Sequence, residues 1–225
     1  MTTQWAGVGA RWMAVSALAL AMSAGCLDEP DEGELELAAS VPARVLSGTA
    51  LFVVADASAV GAGDSAVKRR LEGLGLSVAV KSDGQARAGD ASGKAVIVLS
   101  SSIDSAVLGN IFRDAAVPVV SWEHALHDEM GLATDAGTVA DQTSIDVVHG
   151  AHPAAAGLRD ATTVGVRGPV RWGTPGRGAA IVALAGGGPR RAAHFVYEAG
   201  APQVVAGAAH APVVPHRTQR HHEHG

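Results

Sequence analysis

Three short apolar runs without polar alternation, each followed by a different kind of segment, constrain this chain more than any other feature. Residues 49–55 (TALFVVA), 94–99 (KAVIVL) and the run PVVSW from Pro118 have the pattern of strands covered on both faces. Behind the first, Gly61-Ala62-Gly63 leads to Asp64, placed to cap a helix in which Val67, Leu71 and Leu74 recur at i, i+4 and i+7, with Gly73 or Gly75 to end it. Residues 76–80 then read as a second strand. Ile103, Val107, Leu108, Ile111 and Phe112 form the apolar stripe of the next helix. Strands alternating with helices require right-handed crossovers. The expected fold class is therefore α/β: three layers, a largely parallel sheet with helices on both faces. After Gly131 the pattern changes to short pieces at 143–148, 162–167, 170–172, 179–184 and 192–197, expected as extra edge strands in the C-terminal half, some antiparallel.

Charge narrows the function classes. The chain carries 17% charged residues and a net charge of −5, compatible with a globular protein. Its Lys and Arg are not clustered among aromatics, so nucleic acid is excluded as a partner, because phosphate binding requires such clusters.

The N-terminus reads as an address. Residues 12–22 are apolar except for Ser16, too short a stretch to span a bilayer, and they lead into Ser23-Ala24-Gly25-Cys26. Small residues before a cysteine resemble the lipobox of bacterial lipoproteins, which implies lipidation of Cys26; Ser23 stands where an aliphatic residue is usual. The alternative is cleavage after Ala19-Leu20-Ala21 and release of a soluble secreted protein. Cys26 is the single cysteine, so it has no disulfide partner within the chain. Six of the eleven residues 27–37 are acidic and none is basic, the composition of a solvated tether. The expected organisation is a lipoprotein signal peptide (1–25), an acidic flexible linker (26–47), one α/β domain (48–205) and a His/Pro-rich disordered tail (206–225). That tail also reads as the product of a shifted reading frame.

The segments VVADASAVGAGDSAVKRRLEGLG, VIVLSSSIDSAVLGNIFRDAAVPVVSWEHALHDEMG and HPAAAGL, in this order, resemble uncharacterised exported bacterial lipoprotein domains. These are similar to the trehalose-utilisation (ThuA-like) and class I glutamine amidotransferase-like proteins, and the resemblance, over roughly residues 48–200, implies a flavodoxin-like fold. Those amidotransferases carry a nucleophilic cysteine in the turn after a buried strand. Here that turn holds Ser100, Ser101 and Ser102, and Cys26 lies outside the domain, so thiol chemistry of that kind is excluded.

Open α/β sheets bind ligands at the carboxyl ends of their strands. That rule gathers Asp56, Ser100, Ser101, Ser102 and Trp122 as ligand-binding candidates. Ser101 and Asp104 also fit a helix cap and its capping box. Glu123 and His124 are candidates for an acid and a base, with Ser101 a weaker nucleophile candidate since no G-x-S-x-G elbow is present. His127 and Asp128 read as surface residues. Gly61 to Ala66 formally fits a dinucleotide fingerprint with Asp83 as ribose ligand, but the first glycine lies too far beyond the strand end. His149 and His152 read as loop residues because Pro153 breaks any helix that would align them. No cofactor and no metal is expected. The function expected is a noncatalytic cell-envelope lipoprotein binding a small molecule, glycan or envelope protein, with membrane contact through its lipid. The alternative is a hydrolase acting on a carbohydrate-related or ester substrate through Glu123 and His124 with Ser101.

Overall fold

The computed structural model describes residues 46–186 and 188–204. The signal peptide, Cys26, nearly all of the acidic linker and the tail from 206 onward lie outside the described residues.

The first part is a four-stranded parallel sheet in the order β2-β1-β3-β4, built from β1 (Thr49–Val54), β2 (Ser77–Ser82), β3 (Val96–Leu99) and β4 (Val119–Ser121). Central β1 is buried over Ala50 to Val54, as its unbroken apolar run requires. Its alternate residues serve two cores. Ala50, Phe52 and Val54 pack with Val98 against Val67 and Leu71 of α1 (Ala62–Gly73). Leu51 and Val53 pack with Ile97 and Leu99 against Ile103, Leu108, Phe112, Leu126 and Met130.

That second face is not covered by a helical layer, and here the expected fold class is corrected. The stripe from Ile103 to Phe112 forms one helical turn, α2 (Ser105–Leu108), ended by Gly109 at φ 55°. Turns deliver Phe112 to the core just as well, because burial needs only the side chain's position. The cap is Asp104, whose Oδ1 accepts from Ala106 N at 2.9 Å, and not Ser101. On α1, Gly61 holds the N-cap position and Asp64 lies inside the first turn.

The second correction is larger. The C-terminal pieces are not edge strands of the parallel sheet. They form their own closed antiparallel barrel, β5-β6-β8-β7, from β5 (Ala133–Val147), β6 (Asp160–Pro175), β7 (Ala179–Leu184) and β8 (Ala192–Tyr197). Two pieces expected as separate strands, 162–167 and 170–172, belong to the single strand β6. Gly168 and Pro169 between them sit at an irregularity: the register moves from Gln142↔Gly168 to Ser144↔Thr163, a bulge rather than a strand end. Closure depends on short seams, two pairs between β5 and β7 and the single pair Gly173↔Ala192 between β6 and β8. Ala133, Ala192, Phe195 and Tyr197 form one buried cluster of its strands, and Val182 and Val196 pack on Ala154 and Ala155. The Tyr197 hydroxyl ties the halves together, donating to Leu132 O at 2.8 Å and accepting from Gly176 N at 2.7 Å.

Candidate functional site

The carboxyl ends of β1 and β3 are held by a polar tie. Ser100 Oγ donates to Asp64 Oδ1, and Ser102 Oγ donates to Asp64 Oδ2 at 2.7 Å. Ser102 Oγ also accepts from Ala55 N, and Ser100 Oγ from Ser102 N. Two of the three serines therefore join β1, β3 and the first turn of α1, where a carboxylate is favoured by the helix dipole. Asp56 is exposed and folds back on Ser58, accepting from its hydroxyl at 2.6 Å and its N–H at 2.8 Å. These bonds hold its carboxyl below the usual carboxylate range. Asp83 accepts from Gly84 N and Asp104 N, a structural task in place of a ribose contact. Ser101 is exposed.

At the end of β4 the surroundings differ, because the barrel stands over it. Ser121, Trp122, His124 and His127 form one side of a cleft of about 260 Å3. Ile145 of β5, Val164 and the stretch from Pro169 to Trp172 of β6, and Ala192 to Phe195 of β8 form the other. The walls are mostly apolar. Trp122 packs against Phe52 beneath it, ring centroids 6.5 Å apart. Trp172 carries the Arg191 guanidinium 5.3 Å from its ring centre, a cation–π contact. The same indole lies against Gly137, where a Cβ would come within 2.7 Å of the ring; glycine is required there for close approach.

The strand-end candidates are thus divided. Trp122 and His124 line the cleft; Asp56, Ser100, Ser101 and Ser102 do not. Glu123 is buried behind His124, its Oε1 capping a short turn by accepting from Ala125 N at 2.8 Å. That same oxygen lies 3.1 Å from His124 Nδ1. Across the cleft, Arg171 Nη1 lies 2.8 Å from His124 Nε2. The same Nη1 lies 3.1 Å from His124 Nδ1, so the guanidinium, which only donates, sits against the imidazole with both ring nitrogens in reach. Glu123, His124 and Arg171 thus form a row of contacts, with both imidazole nitrogens engaged.

Two further histidines were not foreseen as site residues. His127, expected at the surface, packs edge-on against Phe195 at 5.5 Å. His194 projects from the apolar run AAHFVY and is 8% exposed. Burial pushes both imidazoles down to about 4, helped by the proximity of His124 to His127 and of His152 to His194. His127 Nδ1 and His194 Nε2 are buried with no hydrogen-bond partner among the described residues. A histidine inside an apolar strand run was the one sequence signal that could have marked His194; Arg171 and Trp172 gave none before β6 was placed.

A wider hollow of about 560 Å3 shares His124 and His127 with the cleft and is lined by Asp128, Glu129, Thr134 and Asp135. Glu129 is pushed up to about 7 there by burial and by Asp128. His152 caps the turn Pro153–Ala155, its Nδ1 accepting from Ala154 N at 3.1 Å, and its ring lies 5.3 Å from that of His149. Among the described residues, no three His, Cys, Asp or Glu are gathered so as to hold a metal ion, and no helix is long and apolar enough to cross a membrane. Compared with protein-family models, curated proteins and solved structures, the chain matches none of them.

Proposed function

We propose that this chain is a cell-envelope lipoprotein whose folded part is a noncatalytic module, binding a small ligand in the cleft between the end of β4 and the barrel. The observation that carries the binding function is the cleft itself, about 260 Å3 in volume, lined by Trp122, Trp172 and Phe195 and carrying Arg171 among its lining residues. A concave, largely apolar cavity with a few polar groups is the usual form of a small-molecule site. The envelope location rests on the h-region and the lipobox-like segment before Cys26.

The test is titration of the intact chain, followed by the indole N–H resonances of Trp122 and Trp172, with a panel of neutral monosaccharides and small acids. Saturable shifts that vanish in Trp172→Ala support the function; indole signals indifferent to every compound would overturn it. Mass spectrometry of the mature N-terminus from the membrane fraction tests the anchor, through a diacylglyceryl group on Cys26.

The hydrolase alternative is favoured by one contact, Glu123 to His124 at 3.1 Å. Against it stand the absence of Ser101 from the cleft lining and the engagement of both His124 nitrogens. Turnover of p-nitrophenyl esters or glycosides, abolished by Glu123→Gln, would establish it.

A further inference from the structure

We propose that the cleft takes a small aromatic carboxylate, its charged group on Arg171 and its ring among Trp122, Trp172 and Phe195, and that Glu123 and His124 are positioning residues for the guanidinium. The assignment rests on the ligand-binding function proposed above and adds the chemical class of the ligand.

Arg171 stands at the cleft with no carboxylate in ion-pair distance among the described residues; its polar contact there is the His124 ring. The ring is met by Nη1, which leaves the N–H groups of Nη2 and Nε for the two parallel bonds of a bidentate carboxylate. The carboxylate behind His124 is already committed to Ala125 N–H and to the imidazole. It acts on Arg171 only through the ring, as a strut that fixes where the guanidinium points. None of the residues lining the cleft is acidic, so an anion entering it meets no like charge at its walls. A cationic guest would instead face Arg171.

The rest of the cleft selects the body of the ligand. Its walls offer the flat faces and edges of Trp122, Trp172 and Phe195 and the aliphatic groups of Ile145, Val164 and Val170. A saccharide would leave most of its hydroxyls without partners against such walls, whereas a planar ring gains from aromatic contact. The volume, about 260 Å3, lies below the roughly 300–1,000 Å3 of sites for drug-sized ligands, which favours a single ring.

The experiment is calorimetric titration of the intact chain with 4-hydroxybenzoate and with its amide, 4-hydroxybenzamide, which keeps the ring and loses the charge. The acid is expected to bind at least tenfold more tightly than the amide. Arg171→Gln, checked for folding by circular dichroism, should remove that preference. His124→Ala should lower the acid-to-amide ratio several-fold, a readout that a general loosening of the cleft would not move, since it would weaken both probes together. Equal affinity for acid and amide in the unmodified chain overturns the carboxylate assignment and leaves the ligand cleft standing. A ratio unaltered in Arg171→Gln overturns the role of Arg171. Binding of neither probe, with neutral monosaccharides shifting the indole resonances, overturns the aromatic-acid class alone; indole signals unmoved by any compound overturn the binding function itself.

Discussion

The parallel sheet and the barrel, adjacent in one chain, bury their side chains in opposite ways. In the sheet, β1 is sealed from Ala50 to Val54 and feeds two cores of large residues, Phe52, Ile97, Leu99 and Phe112 among them. In the barrel, β5 runs for 15 residues with only Ala133 and Ile145 buried, and the buried cluster of its strands combines alanines with Phe195 and Tyr197. A continuous parallel sheet gains stability from apolar area. A small barrel has little interior to fill and depends on ring closure and on specific polar contacts. The difference teaches where function can be lodged: the cleft takes its firm side from the well-packed end of β4 and its adaptable side from β6 and β8, which are joined by one residue pair.

The strongest way to break this contrast is Phe52→Ala. Removing a fully buried aromatic from the sheet should cost about 3–5 kcal/mol, read by urea denaturation; a cost below about 1 kcal/mol would mean that the sheet is not the stable half. Acidification sharpens the contrast from the other side. In the unfolded chain an imidazole takes up its proton near 6.5, and in the folded chain His127 and His194 do so at about 4. Between those values the unfolded state holds more protons, so stability falls as pH is lowered from about 6.5 to about 4, by up to roughly 3 kcal/mol for each histidine, and levels off below. Glu129, pushed up to about 7, works in the opposite sense, losing its contribution as pH rises from its ordinary carboxyl range through 7. Hydrogen exchange at pH 7 and pH 5 should show β6 and β8 loosening on acidification before β1 and β3, and His194→Gln should flatten that response; uniform loosening of both sheets would count against it. The smallest effect expected is that of Tyr197→Phe, which leaves Leu132 O and Gly176 N without their hydroxyl partner. A cost of about 1–3 kcal/mol, felt mainly in the barrel, would identify this hydroxyl as a fastener between the halves, and a neutral outcome would show that water replaces it.

The strands β1, β3 and β4 were legible because burial on both faces writes itself locally, as a run without polar residues. The barrel was not, because its closure is set by pairings far apart in sequence, such as Asp146 with Leu184 and Gly173 with Ala192. Its alanine-rich interior carries too little hydrophobic contrast to betray alternation, and Gly168-Pro169 imitates a strand end where β6 in fact continues through a bulge. The site divides along the same line. Trp122 and His124 follow from the strand-end rule, whereas Arg171, Trp172 and His194 reach the cleft from a sheet that the residue pattern does not announce. The serines, gathered by the same rule as ligand-binding candidates, lie at the end of β3 with the hydroxyls of Ser100 and Ser102 bound to Asp64.

The close seat of Trp172 on Gly137 has a consequence for descent. With a Cβ at 137 falling within 2.7 Å of the indole, any side chain there must displace the ring that walls the cleft. The two positions are therefore bound to change together. A lineage that keeps tryptophan at 172 must keep glycine at 137, and a lineage in which 137 has drifted to alanine or beyond will already have given up this wall, and with it whatever the cleft was shaped to hold.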